Sequence, residues 1–212
     1  MRPKPPIRSW FVGCCSLCLR CTILWAVIWA ILGTEAIAAQ DVEDADLATR
    51  MQNGGAVLLL RHAYAPGTGD PQGFRIDDCS TQRNLNDAGR EQARFIGAWL
   101  RARGIEHARV YSSEWCRCLE TAELLGLGPV TPLPALNSFY ERRGNRGPNL
   151  AALEAFLEDQ PLNGEPIVLV THQVTVTALT GIYPASGEAV LMRLSDQDRG
   201  TLEPVWRMDF GP

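Results

Sequence analysis

The 212-residue chain is poor in lysine and in histidine. It has one lysine, Lys4, and three histidines, His62, His107 and His172; every other basic residue is an arginine, a usage that first reflects codon bias. The formal net charge of -4 leaves no general basic surplus to hold a nucleic acid by electrostatics. Internal repeats and low-complexity tracts are absent, which excludes a solenoid or an array of small units. What is present has globular proportions: 46% hydrophobic and 21% charged residues, in a length suited to one ordinary domain with a sizeable core.

The first forty residues stand apart. Arg2, Lys4, Arg8 and Arg20 precede or enter an apolar stretch from Thr22 to Gly33, and Glu35-Ala36-Ile37-Ala38-Ala39-Gln40 follows with small residues. Basic region, apolar region and small-residue site come in the order of a secretory signal, with a cut expected after Ala38 or Ala39. The alternative is a retained anchor, since residues 10–33 approach the length of a spanning helix. Both readings export the rest, residues 40–212, as a single domain. Losing the leader's four basic residues and one acidic residue leaves 16 and 23, a net of -7. Positive charge for an anionic ligand must therefore be local.

Cysteines divide in the same way. Cys14, Cys15, Cys18 and Cys21 lie in the leader, where they enter an apolar segment and do not read as a metal motif; Cys79, Cys116 and Cys118 remain. Export permits a disulfide, and an odd count leaves one thiol over. Cys116 and Cys118 are two apart on an expected helix and point to opposite faces, so Cys79 is expected to pair with one or the other.

Periodicity predicts a helical lead-in over 41–52, a strand over 56–60, and a long polar loop over 63–86. A helix over 87–103 follows, with Asn86 as cap and Ala88, Ala93, Phe95, Ile96, Trp99 and Leu100 as its apolar stripe. Next come a strand over 109–112, a helix over 114–125, an extended segment over 130–136 and a second loop over 137–149. Helix 150–159, buried strand 167–171, short helix 173–181 and a terminal antiparallel pair over 188–194 and 201–209 complete the chain. Strands alternating with helices imply an α/β fold, a three-layer sandwich whose mainly parallel sheet is covered by helices on both faces.

Two apolar runs stop abruptly on chemistry: Leu58-Leu59-Leu60 on Arg61-His62, and Ile167-Val168-Leu169-Val170-Thr171 on His172. Ser112-Ser113-Glu114-Trp115-Cys116-Arg117 adds an arginine after a third strand. A histidine after a strand is usually structural. Two of only three in this setting, each at the sheet edge where open α/β folds bind ligands, describe a pocket for a phosphate attacked by nitrogen. His107 fits no such pattern and is expected on the surface.

Taken in order, Leu-Leu-Arg61-His62, Asn84-Leu85-Asn86-Asp87-Ala88-Gly89-Arg90-Glu91-Gln92-Ala93, Val110-Tyr111-Ser112-Ser113 with Arg117 and Thr121-Ala122, and Val170-Thr171-His172 resemble the histidine phosphatase (phosphoglycerate mutase-like) superfamily. The resemblance runs from about Ala56 to Leu194 and implies that fold. It also implies His62 as a nucleophile that becomes phosphohistidine, its other ring nitrogen held by a backbone carbonyl. Arg61 and Arg117 would grip phosphoryl oxygens bidentately, and His172, protonated beside the dianion, would add a donor. Phosphate binding would thus fall to Arg61, His62, Arg117 and His172, with no metal and no cofactor.

The general acid is expected in the loop after the third strand, where Asn137 stands near the usual glutamate position. Glu141 is the candidate, with Asp78 second. Ala63 replaces the family's usual glycine, tolerable unless that backbone needs a positive φ. The resemblance thus points to a phosphomonoesterase acting outside the cytoplasm, in a periplasm if the leader is bacterial. Its substrate would be a phosphorylated small molecule, an envelope sugar or lipid, or a phosphoprotein. A non-catalytic phosphate-binding module and a mutase-type phosphotransferase are the alternatives, and the membrane enters only through an uncleaved leader.

Overall fold

The computed structural model describes residues 49, 51, 55–161, 163–194 and 202–210. The leader and its four cysteines lie outside the described residues, as does most of the lead-in segment 41–52, of which Thr49 and Met51 are helical.

Six strands form one sheet: β1 (Ala56–Arg61), β2 (Arg109–Ser112), β3 (Val130–Pro132), β4 (Ile167–Thr171), β5 (Ala189–Leu194) and β6 (Leu202–Met208), in the order β3-β2-β4-β1-β5-β6. The first four strands in that order run parallel, and β5 and β6 run antiparallel at one edge. The helices are α1 (Asp87–Ala102), α2 (Cys116–Leu125), α3 (Arg146–Glu158) and α4 (Gln173–Thr180).

The period-2 geometry of a strand explains why β1 and β4 are apolar throughout. Leu58, Leu60, Val168 and Val170 point to one face and pack with Ile96 and Leu100 of α1 and with Cys118, Ala122 and Leu125 of α2. Val57, Leu59, Ile167 and Leu169 point to the other and pack with Leu153 and Leu157 of α3 and Val176 of α4. Covering both faces removes each leucine from water, worth about 2 kcal/mol per side chain. The three-layer α/β sandwich expected from the sequence is the observed fold.

Three local readings change. The buried face of α1 is Gly89, Ala93, Ile96, Gly97 and Leu100, while Ala88 and Phe95 face solvent. Two glycines centre that face because α1 lies against backbone: a Cβ on Gly97 would sit 2.0 Å from the Leu125 carbonyl oxygen. Helix α3 begins at Arg146 and not at Leu150, because Pro148 lies in its first turn, where the missing N–H has no partner to lose. Beyond Pro132 the expected extended segment turns into a 3-10 helix over Pro134–Leu136, set by a proline at its start.

Candidate active site

Strands β1 and β4 are neighbours with Arg61 opposite Thr171, so His62 and His172 leave the sheet side by side. His62 N–H donates to Thr171 O at 2.9 Å, and the Gly187 N–H donates to His62 O at 3.1 Å, pinning the backbone of residue 62 from both sides. The two imidazoles meet edge to face at 5.6 Å. Arg117 arrives from the first turn of α2. Thr121, one turn on, accepts from Ala63 N–H at 3.1 Å and donates to Arg117 O at 2.6 Å, tying the histidine's chain to the arginine's helix.

The 84–93 motif supplies the support beneath. Asn86 caps α1 by accepting from Gly89 N–H. Gly89 itself lets α1 approach the backbone of Tyr64, Arg90 pairs with Glu120 on α2, and Gln92 accepts from Tyr64 N–H.

His62 Nδ1 is 2.7 Å from Ala63 O. A carbonyl only accepts, so Nδ1 carries the proton and Nε2 keeps its lone pair, 3.3 Å from Arg117 Nε. Burial first, and the Arg117 charge second, push His62 well below the usual imidazole range. His172 is depressed for the same two reasons, with His62 adding to them. The charged His172 expected from the sequence is therefore not the form that the protein's own groups favour. Its Nε2 bonds Ser113 Oγ at 2.8 Å, and Nδ1 lies 3.5 Å from Arg117 Nη2. Arg61 donates from Nη1 to Pro184 O, and its buried Nε has no partner.

These side chains line a cavity of about 180 Å³ together with Asp70, Arg83 and Trp115, three residues that sequence reasoning missed. Asp70 forms a bidentate pair with Arg117, at 2.8 and 3.1 Å, with both side chains almost wholly buried. Burial alone would raise the Asp70 carboxyl, but the hydrogen bond and charge of Arg117 outweigh it and hold the group below its usual value. Arg83 braces the same loop by donating to Gly69 O at 2.7 Å and to Ala65 O. The only signal for Asp70 and Arg83 was the length of the polar loop, a common mark of function.

Glu141 lines the cavity and accepts from Asp70 N–H at 2.9 Å. Asp78 does not line it; this residue caps a 3-10 turn over Cys79–Thr81, bonds Ser80 and pairs with Arg75, and the Ser80 hydrogen bonds hold its carboxyl low, the wrong direction for an acid. Asn137 accepts from Ser113 Oγ and Glu114 N–H and donates to Glu114, supporting His172 through Ser113. His107 is exposed, as expected. Cys79 pairs with Cys116, and Cys118 is a buried free thiol that burial pushes up to about 12. Among the described residues no group of three or more His, Cys, Asp or Glu side chains converges as a metal site requires.

The histidine phosphatase superfamily (branch 1) matches residues 57–145, the segment carrying Arg61, His62 and Arg117. Solved structures align over most of the chain. The protein histidine phosphatase SixA complexed with tungstate is 20% identical, with a TM-score of 0.53 over 73% of this chain and 97% of SixA. An open reading frame product from Mycobacterium tuberculosis is 16% identical, with a TM-score of 0.52 over 72% and 96%. A protein described as mycobacterial hydrolase 1 is 15% identical, also at 0.52 over 72% and 96%. No curated protein sequence matches the chain. Over residues 57–145 the chain is thus similar to the histidine phosphatase superfamily, and its fold is the one seen in these solved structures.

Proposed function

We propose that the protein is a metal-independent phosphatase that hydrolyses phosphomonoesters, or a phosphoprotein, through a phosphohistidine on His62. The observation that carries this reading is the His62 tautomer: Nδ1 bonded to Ala63 O, and the Nε2 lone pair facing a cavity lined by Arg61, Arg83 and Arg117. A neutral imidazole, buried among guanidinium cations, is a nucleophile aimed where a phosphoryl dianion is favoured. In the first step Nε2 forms a bond to phosphorus as the bond to the leaving oxygen breaks, and Glu141 protonates that oxygen. In the second, Glu141 takes a proton from water, water oxygen bonds phosphorus, and the N–P electron pair returns to Nε2. Arg61, with an unpartnered Nε, Arg117 and His172, the last protonated once the dianion is bound, hold the three equatorial oxygens.

The similar SixA structure holds tungstate, a tetrahedral oxyanion, and that protein acts on phosphohistidine by its name; both support a phosphorylated substrate here. Tyr140 and Tyr183 stand exposed at the cavity mouth, leaving room for the organic part of such a substrate. Export to a periplasm is part of the proposal. It is supported by the leader's residue order and by the Cys79–Cys116 pairing, which suits an oxidising compartment.

The test is phosphate release from an aryl and an alkyl phosphate with EDTA present, with H62A and E141Q beside the wild type. Loss with H62A and indifference to EDTA are expected. E141Q should slow the alkyl ester by about 10²- to 10⁴-fold and the aryl ester less, because a good leaving group needs no proton. Binding of phosphate without turnover would instead identify a binding module.

A further inference from the structure

The guanidinium of Arg117 has five N–H donors, and all five are engaged. Nε faces His62 Nε2 at 3.3 Å and one Nη2 hydrogen faces His172 Nδ1 at 3.5 Å. The end-on fork, Nη1 and Nη2, is taken by Asp70 at 2.8 and 3.1 Å, and the last Nη1 hydrogen reaches Arg83 O at 3.2 Å. The bonds toward the histidines are the long ones, so they are the ones that phosphoryl oxygens can replace.

Asp70 is itself fixed. Its Oδ1 also accepts from Arg83 N–H at 3.0 Å and its Oδ2 from Trp115 Nε1 at 3.0 Å. Departure of the carboxylate would strand both donors in the interior as well as Arg117. The carboxylate is therefore a wall of the site and not an anion waiting to leave.

We propose that Asp70 is a positioning residue for phosphoryl transfer: it occupies the end-on fork of Arg117 and turns the side-on edge, Nε and Nη2, toward the phosphoryl group at His62. The inference rests on the phosphatase reading above. It has a kinetic signature. A carboxylate behind Arg117 repels the bound dianion, while the orientation it imposes favours the transition state, where oxygen positions are most demanding. Removing it should tighten ground-state binding and slow turnover, opposite changes that a loss of structure would not produce.

The experiment compares the full-length wild type with D70N and D70E, each checked for native unfolding behaviour. It measures kcat on an aryl phosphate and inorganic phosphate affinity by calorimetry. D70N places an amide N–H against Nη2 and breaks the fork, so kcat should fall by about 10- to 100-fold while phosphate binds as tightly as, or more tightly than, to the wild type. D70E keeps the charge but displaces the fork, so kcat should fall with phosphate affinity unchanged within about twofold; it decides the matter if D70N does not fold. Wild-type kcat in D70N, or a parallel loss of kcat and phosphate affinity in either variant, would overturn the proposal. If the wild type releases no phosphate, the phosphatase reading falls by itself. The affinities then still decide whether Asp70 restrains the anion: phosphate bound more weakly by D70N than by the wild type would refute that.

Discussion

His62 donates from Nδ1 to the carbonyl oxygen of its own chain neighbour, Ala63, at 2.7 Å. The acceptor is backbone, so the identity of residue 63 does not set the tautomer. No non-glycine residue among those described has positive φ, so alanine at 63 follows the loop without strain. Ala63→Gly is accordingly expected to leave kcat within about twofold and to cost about 1 kcal/mol of stability, through greater freedom of the unfolded chain and a lost buried methyl. Turnover and urea titration of the variant measure both; a large kcat loss would show that the methyl matters to the nucleophile.

Gly89 and Gly147 are both helical glycines, with opposite expectations. A Cβ on Gly89 would lie 2.0 Å from the Tyr64 carbonyl oxygen, so G89A must separate α1 from the loop after His62 at a cost of about 3 kcal/mol. Nothing lies within 4 Å of a Cβ on Gly147, so G147A should stabilise α3 by about 0.5 kcal/mol. Unfolding curves of the two variants should move in opposite directions.

The disulfide closes a sequence separation of 37 residues, and its loss in C79S should cost about 3 kcal/mol. Trypsin cuts after Arg117 and separates Cys116 from Cys118. An unreduced digest should therefore yield peptides 76–83 and 110–117 linked to each other, and peptide 118–142 with a free thiol. Linkage through 118–142 would contradict the pairing.

Stability should fall on mild acidification. Burial and Arg117 hold His62 and His172 below the ordinary 6.5, so as pH falls through 6.5 the unfolded chain binds protons that the folded chain does not. Asp70 and Glu188, depressed below 3.8 and 4.5, give up stability only at lower pH. Between pH 6.5 and 4.5 the decline belongs to the histidines. Urea midpoints at pH 7.5 and 5.0 test this, with H172Q expected to weaken the dependence; a midpoint that rises on acidification would be inconsistent with neutral buried imidazoles.

Much of this arrangement was legible in the chain. The runs ending at His62 and His172 disclosed β1 and β4 because strands buried on both faces leave no polar position to blur the pattern. The cap at Asn86 and the end of a helix at residue 125, just before Gly126 with its φ of 63°, are local chemistry and were equally readable. Asp70 was not. It lies in an aperiodic loop 47 residues from Arg117, and only the folded loop, braced by Arg83, brings the pair together. The α1 face failed for a related reason: hydrophobic periodicity does not register glycines, and glycines mark where α1 touches backbone. The disulfide was readable to within one choice, Cys116 or Cys118, which the direction of the first α2 turn decides.

His62, the proposed nucleophile, rests on the middle of the sheet, between β4 and β5, whereas the cavity walls come from two connecting segments, around residues 67–83 and 138–142. Floor and walls are thus separate inheritances of the chain. A lineage could rewrite Tyr140, Arg142 or the glycines before Asp70 and acquire a different appetite for substrates while the proposed phosphoryl chemistry beneath stayed as it was.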